Sequence, residues 1–233
     1  QKIQEAADTA GQDVQTFIDH YANEFRRLKE ALGLYDGLHF IRTTDAKHIA
    51  AAQEIWKRCE GDIEKRTFTG LYCVGCESFK TEKEREDGHC TIHTNLQLQE
   101  ITEENYFFTF KKYEKKLLEY LSHPGVIIPE WRREEAIAFV EGGLEDFSIS
   151  RDKKRLSWGI PVPGDDTQVM YVWFDALTNY ISTLDWPHSA KASRGAPDLF
   201  EKFWVNGRTL QVAGKDQVRF QSLMWQAMLM SAG

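Results

Sequence analysis

A chain of 233 residues with 42% apolar residues can bury a substantial core, and seven tryptophans and fourteen phenylalanines exclude a disordered polymer. A formal net charge of −7 excludes a protein that grips nucleic acid with its whole surface, so any such grip lies on a local patch or outside this chain. No apolar run nears the ~20 residues of a membrane span, no basic-then-apolar leader opens the chain, and three of four cysteines cluster, unlike a secreted disulfide framework; cytoplasm is the expected compartment.

The chain opens on "QKIQEAAD", already helix-like and without an initiator methionine, and stops at "LMWQAMLMSAG", where an apolar helix finishes; both ends are expected to be cuts in a longer protein. Ile18, Tyr21, Phe25, Leu28 and Leu32 step by three and four, predicting an amphipathic helix over 13–32 that Gly33 ends. "LHFIRTT" reads as a short strand. Thr44 or Asp45 then caps a helix carrying Ile49, Ile55 and Trp56, and Cys59 at its end reads as a small core residue. "RTFTGLYCVGC" alternates as a strand running into a knuckle, and "ENYFFTF" is a second strand. "KKYEKKLLEYLS" is a helix with Leu117, Leu118 and Leu121 on one side and a solvated or RNA-facing lysine side; "EWRREEAIAFVEGG" is another, stopped by Gly142 and Gly143. "SWGIPVPG" excludes regular helix. "VMYVWFDAL" reads as a strand turning to helix near Ala176, "TLQVAG" as a strand ending at Gly214, and "VRFQSLMWQAMLM" as a helix with Leu223, Met224 and Met228 toward a core.

Helix and strand alternate at both ends of the chain, as in a parallel α/β sheet. The middle has its own composition. The expected organisation is therefore an α/β domain in two parts, 1–66 and 144–233, split by an α+β insertion over 67–143.

That insertion carries "CVGCESFKTEKEREDGHCTIH", with the spacing C-x2-C-x13-C-x2-H. Zinc takes four tetrahedral ligands from thiolate and imidazole, and Cys73, Cys76, Cys90 and His93 supply four with no open position, which predicts a closed structural site. The loop between the knuckles is highly charged and gains from a metal clamp. His89 is a competing ligand, but its position breaks the two-residue knuckle. A knuckle of this kind names no function by itself.

At "YVWFDALTNYIS" the chain resembles the methionyl-tRNA synthetases, and "QKIQEAA", "FIRTTDAKH", "LYCVGCESF", "ENYFFTFKKY", "ISRDKKRLSWGIPVP" and "AGKDQVRF" agree in order over nearly the whole chain. "WGIP" is shared with the class I enzymes for leucine, isoleucine and valine. "ENYFF" and "YVWFDAL", with a knuckled insertion between them, point to the methionine enzyme. The resemblance implies a class I nucleotide-binding, Rossmann-like sheet split by a connective insertion. It implies joining of methionine to ATP, used with magnesium, and transfer of the methionyl group to tRNA(Met). It implies that zinc is structural. Trp173, Ala176 and Tyr180 match the methionine pocket, Gly214 and Asp216 the contact to the ATP ribose, and Arg151 an arginine that holds the acid binding the methionine amino group. Asp175 carries no assignment.

Two pocket positions depart from the family. Gln221 stands where many members have histidine, and Gln217 where they have an apolar residue; Leu177 replaces a proline of some relatives. Neither the His-Ile-Gly-His-type motif nor the Lys-Met-Ser-Lys-Ser-type loop occurs in the 233 residues. The family places these upstream and downstream, with the anticodon-reading domain after them. The chain alone is therefore expected not to aminoacylate, because the reaction rests on positioning and cationic electrostatics. The rivals are a non-catalytic zinc-bearing RNA- or protein-binding module, and a class I synthetase for another amino acid.

Overall fold

The computed structural model describes residues 2–76, 78–187 and 198–233. The chain forms two compact units, one of residues 1–40 and 67–103, the other of residues 41–66 and 104–233.

In the first unit, α1 (Lys2–Thr9) packs on α2 (Val14–Ala31). Asp13 caps α2 by accepting from the Thr16 amide at 3.0 Å, and Gly33, at φ +59°, ends it while the Leu34 amide donates to the Lys29 carbonyl at 2.9 Å. The helix falls where its period predicts, but its apolar face is not covered: Tyr21, Phe25, Leu28 and Leu32 are exposed and no residue of α2 is buried.

The strands β1 (Ile63–Cys73) and β5 (Gln99–Phe108) are the inner strands of a sheet in the order β2-β1-β5-β6, and each crosses a unit boundary. The first-unit end of β1 pairs antiparallel with β2 (Ser78–Phe79), Tyr72 opposite Phe79 and Cys73 opposite Ser78. A small hairpin follows, β3 (Arg85–Glu86) with β4 (His89–Cys90). Its two-residue turn, Asp87-Gly88, takes φ +47° and +78°, the left-handed pair that suits Asp-Gly and matches the strand twist.

The second unit holds the main core. Its helix α3 (Ala46–Arg58) presents Ile55 and Trp56, whose ring meets Phe174 edge-on at 5.3 Å. Around them pack Leu117 and Leu121 of α4 (Glu114–Ser122), Ala136 and Val140 of α5 (Glu130–Glu141), and Trp225 and Met228 of α8 (Trp225–Ala232). Cys59 is fully buried, its thiol pushed up to about 12 by that burial, as its core reading requires. The end of β5 pairs with β6 (Phe147–Ser148). The strands β7 (Ser150–Asp152), β8 (Pro161–Val162) and β9 (Asp165–Met170) form an antiparallel sheet with β9 central.

After β9 the chain turns directly into helix: α6 (Val172–Asp175), a 3-10 turn (Ala176–Thr178) and α7 (Asn179–Ser182) follow without a break. Helix thus begins at Val172, four residues ahead of the expected start. His48 of α3, fully buried, contacts Ser182 Oγ through Nδ1 at 3.0 Å, and its burial pushes the imidazole pKa down.

Three expectations need correction. The expected strand at 38–44 is irregular chain: the Asp45 side chain accepts from the Arg42 amide at 3.0 Å and the Asp45 amide donates to the Arg42 carbonyl at 3.0 Å, a turn that leads into α3. The expected strand at 209–214 is also irregular and has no ladder partner among the described residues. The strands β7, β8 and β9, which fall in the part expected to belong to a parallel sheet, pair antiparallel, while the antiparallel pairs of β1 with β2 and β3 with β4 lie in the expected α+β insertion.

Candidate functional site

The knuckles of the first unit close on one point. One ligand atom from each of Cys73, Cys76, Cys90 and His93 lies within 4.8 Å of the other three. Cys76 Sγ is 3.5 Å from Cys90 Sγ and 3.2 Å from His93 Nδ1, and Cys73 Sγ is 3.8 Å from His93 Nδ1. A tetrahedral zinc with Zn–S near ~2.3 Å spaces its ligand atoms by roughly 3.5–3.8 Å, so the donor set and its edges fit that ion. The Cys76 amide points at Cys73 Sγ at 3.4 Å, the backbone geometry that two intervening residues allow. Burial opposes ionisation of Cys90, but hydrogen bonds from the backbone of His93 and Ile92 outweigh it and lower its pKa, while burial raises that of Cys76. Gly75 is required by its neighbour: a Cβ there would stand 2.6 Å from Cγ of the His93 ring. His89 is outside the cluster, its Nδ1 2.9 Å from the Asp87 carbonyl oxygen. Among the described residues Cys73, Cys90 and Leu98 form a buried apolar cluster at the knuckles, with Leu71 and Cys76 packed against it.

In the second unit, the segment Val172–Ser182 has two faces. Phe174, Leu177, Thr178 and Ile181 are buried in the core. Trp173, Ala176 and Tyr180, at helical spacing, are all half-buried, as a face that borders open space should be. The Trp173 ring stacks on Phe220 at 3.7 Å with the planes 9° apart. Phe220 was not singled out in the sequence, where an aromatic in a helical run reads as core. It belongs to a π-helical stretch, Val218–Met224, a rare geometry found mostly at functional positions. The next residue, Gln221, is buried, and its Nε2 donates to Gln211 Oε1 at 3.2 Å. Gln217, at the end of the preceding 3-10 turn, is half-buried. Asp175 is buried with no hydrogen-bond partner for Oδ1 among the described residues, and burial pushes its carboxyl up to about 8, so it is largely uncharged at neutral pH.

Arg151, on β7, is buried. Its Nη1 donates to Ser148 Oγ at 2.8 Å and to the Ser150 carbonyl at 2.7 Å, and its guanidinium lies 3.8 Å from the ring centre of Tyr171, two residues before Trp173. Gly214 and Asp216 are exposed and follow irregular chain, where a strand was expected. A Cβ at Gly214 would meet nothing within 4 Å, so packing among the described residues does not demand glycine there. Asp216 lines a cleft of about 320 Å³ with Arg132, Glu135, Phe139, Lys215, Val218, Arg219 and Leu223. Two separate ring contacts are thus seen, Arg151 on Tyr171 and Trp173 on Phe220, while Asp216 lines the cleft beside Lys215 and Arg219. The Cys/His cluster is a separate assembly in the other unit.

A family model described as "tRNA synthetases class I (M)" matches residues 1–95 and 82–233, which sets the chain among the class I tRNA synthetases. The methionine–tRNA ligase of Nostoc is 43% identical over the whole chain, which covers 43% of that relative, and the methionine–tRNA ligase of Thermotoga maritima is 40% identical, 36% of it covered. The Mycobacterium tuberculosis methionyl-tRNA synthetase solved with methionyl-adenylate superposes with a TM-score of 0.87 at 40% identity, over all of this chain and 45% of that one. The chain belongs to the methionyl-tRNA synthetase family, and spans less than half the length of these relatives.

Proposed function

We propose that this chain is part of the catalytic region of an enzyme that joins methionine to ATP, releasing pyrophosphate, and passes the methionyl group of the adenylate to the terminal adenosine of tRNA(Met). The observation that carries the reading is the fit of the whole chain, at a TM-score of 0.87, to a relative solved with methionyl-adenylate.

On this reading residues 1–66 and 144–233 are two parts of a Rossmann-like nucleotide-binding domain, and 67–143 the connective insertion. The methionine side chain lies against the Trp173, Ala176 and Tyr180 face, where the stacked Trp173–Phe220 pair offers a polarisable wall to a thioether. Gln217 and Gln221 supply the polar part of that pocket. Arg151, held by Ser148 and Tyr171, orients the acid that binds the methionine amino group. Gly214 lets the ATP ribose approach the backbone, and Asp216 accepts from its hydroxyls, with magnesium accompanying the phosphates. Zinc, held by Cys73, Cys76, Cys90 and His93, supplies structural cross-linking; a full set of protein ligands leaves no position for substrate. The compartment is the cytoplasm.

Neither phosphate-binding motif of the family lies within the 233 residues, so the isolated chain lacks the cationic groups with which those motifs stabilise the departing pyrophosphate. Methionine-dependent exchange of pyrophosphate into ATP tests the reading, measured on a protein of the relatives' full length that carries these residues. Exchange with methionine, not with leucine or isoleucine, is expected, and none from the 233 residues alone. Exchange driven by another amino acid transfers the chain to a different specificity. Salt-sensitive RNA binding without methionine or ATP binding makes it a binding module.

A further inference from the structure

We propose that Lys80 is a positioning residue of the metal site: its buried ammonium donates to the Cys76 sulfur and supplies the counter-charge that lets the three thiolates hold zinc. The inference rests on the structural-zinc reading above. Three thiolates and a neutral imidazole give a zinc centre one excess negative charge, and Cys73 and Cys90 are fully buried, where an uncompensated charge is costly. The loop between the knuckles reads as a solvated run of charges, but one of them turns inward. The strand β2 places it. Phe79 meets the Phe68 and Tyr72 rings at 4.9 and 5.3 Å, and the Lys80 amide donates to the Leu71 carbonyl at 2.8 Å, extending the ladder by one residue. Side chains alternate along a strand, so Lys80 leaves on the face opposite Phe79, the face of Leu71 and Cys73. Its side chain is only 4% exposed. An ammonium has three hydrogens to place. Glu84 Oε1, at 3.6 Å, is too far for a good hydrogen bond, and Glu84 Oε2 is held by the Thr81 amide and hydroxyl at 3.1 and 3.0 Å. The Lys80 ammonium hydrogen-bonds Cys76 instead, and Cys90 adds to the field around it. Hydrogen bonds between charged partners are the strong ones, and the groups behind metal ligands set how tightly those ligands bind.

The test uses the full-length protein carrying this chain, loaded with zinc and, in parallel, with cobalt, whose spectrum reports tetrahedral thiolate ligation. Lys80→Met keeps much of the length and bulk of the side chain and removes its donor and its charge. Its zinc affinity, read by competition with a colorimetric chelator, should fall about ten- to a hundredfold. Its cobalt form should keep the visible bands of a tetrahedral site, while the sulfur-to-cobalt charge-transfer band moves to longer wavelength, because a sulfur that loses its donor gives up electron density more readily. Lys80→Arg should recover zinc affinity to within about threefold of the wild-type protein, and Lys80→Gln, a neutral donor, should fall between. An unchanged affinity with an unmoved band in Lys80→Met overturns the proposal. So does an affinity lost with the band unmoved, or one that arginine does not recover, since packing alone would then account for it. Should the methionine variant not hold cobalt at all, the other two decide: tighter zinc binding by the arginine variant supports the counter-charge, and equal binding overturns it. A wild-type protein that takes up neither zinc nor cobalt overturns the structural-zinc reading itself, and the proposal with it.

Discussion

Asp62 gives the sharpest quantitative test of how the second unit is held. Its carboxylate is buried and accepts from Tyr113 Oη at 2.6 Å, from Ser231 Oγ at 2.7 Å and from Lys112 Nζ, tying the turn before α4 and the C-terminal helix α8 to the turn between α3 and β1. Burial opposes its ionisation, but the Lys112, Tyr113 and Ser231 donors win and lower its pKa from 3.8 to about 2. Each tenfold change is about 1.4 kcal/mol, so the ionised form contributes about 2 kcal/mol to folding, after allowing for screening of the exposed Lys112 end. The folded pKa lies below the unfolded one. The contribution is therefore complete above the unfolded pKa and is lost as pH falls from about 4 toward 2, with roughly two thirds gone by about pH 2.5. The perturbation is Asp62→Asn, and the assay is urea unfolding of both proteins at pH 6 and pH 2.5. The variant should be less stable at pH 6, and the gap should narrow by more than 1 kcal/mol at pH 2.5. Other depressed carboxylates, such as Asp165 held by Thr167 and Lys65, are common to both proteins and cancel in the comparison. A gap of equal size at both pH values would refute the account of Asp62 as an ionised hub.

Three further outcomes test the sites. Removal of metal by a chelator should release one zinc per chain and make residues 67–103 sensitive to protease, because the buried cluster at the knuckles, Cys73, Cys90 and Leu98, includes two of the metal-ligating residues themselves; equal protease resistance with and without metal counts against a structural clamp. Gly75→Ala should weaken metal binding about tenfold or more, since the added Cβ displaces the His93 ring, measured by competition with a colorimetric chelator. Trp173→Ala should raise KM for methionine about ten- to a hundredfold with little change in thermal stability, since the ring is half-buried and its main contact is Phe220; an unchanged KM removes Trp173 from the pocket.

Helices were more legible than strands, for a physical reason. The period of α2, α3 and α4 lies within each segment, and so does the chemistry that ends a helix, as Gly33 and Gly143 at positive φ show; Asp13 caps α2 through its side chain, whereas the expected side-chain cap of α3 is absent because Asp45 bonds the Arg42 amide instead. A strand needs a partner. Residues 38–44 and 209–214 carry strand-like composition, but ladder formation depends on neighbours that local sequence does not name. The same limit applies to α2, whose amphipathic period located the helix yet could not say whether its apolar face is covered. The knuckles were legible because metal ligands obey spacing, and the choice of His93 over His89 followed from it. Phe220 was not, because a π-helical stretch has no distinct period, and its stacking on Trp173 is a contact between segments forty-seven residues apart.

The two-faced helix after β9 links the core to the proposed chemistry. Phe174 and Ile181 fix one face against Trp56 and its neighbours, so the opposite face, with Trp173, Ala176 and Tyr180, is held at positions set by core packing. His48 reinforces this by meeting Ser182 at the far end of the helix. A close-packed interior does not deform continuously, so a half-buried face backed by it keeps its geometry before any ligand arrives. The element with the least backing is the irregular stretch carrying Gly214 and Asp216, where residues 212–216 are all exposed, while the π-helical turn that follows it seats Leu223 and Met224 in the core. The proposed apolar contact through Trp173 therefore rests on a core-backed face, while the proposed ribose contact through Gly214 and Asp216 rests on exposed backbone.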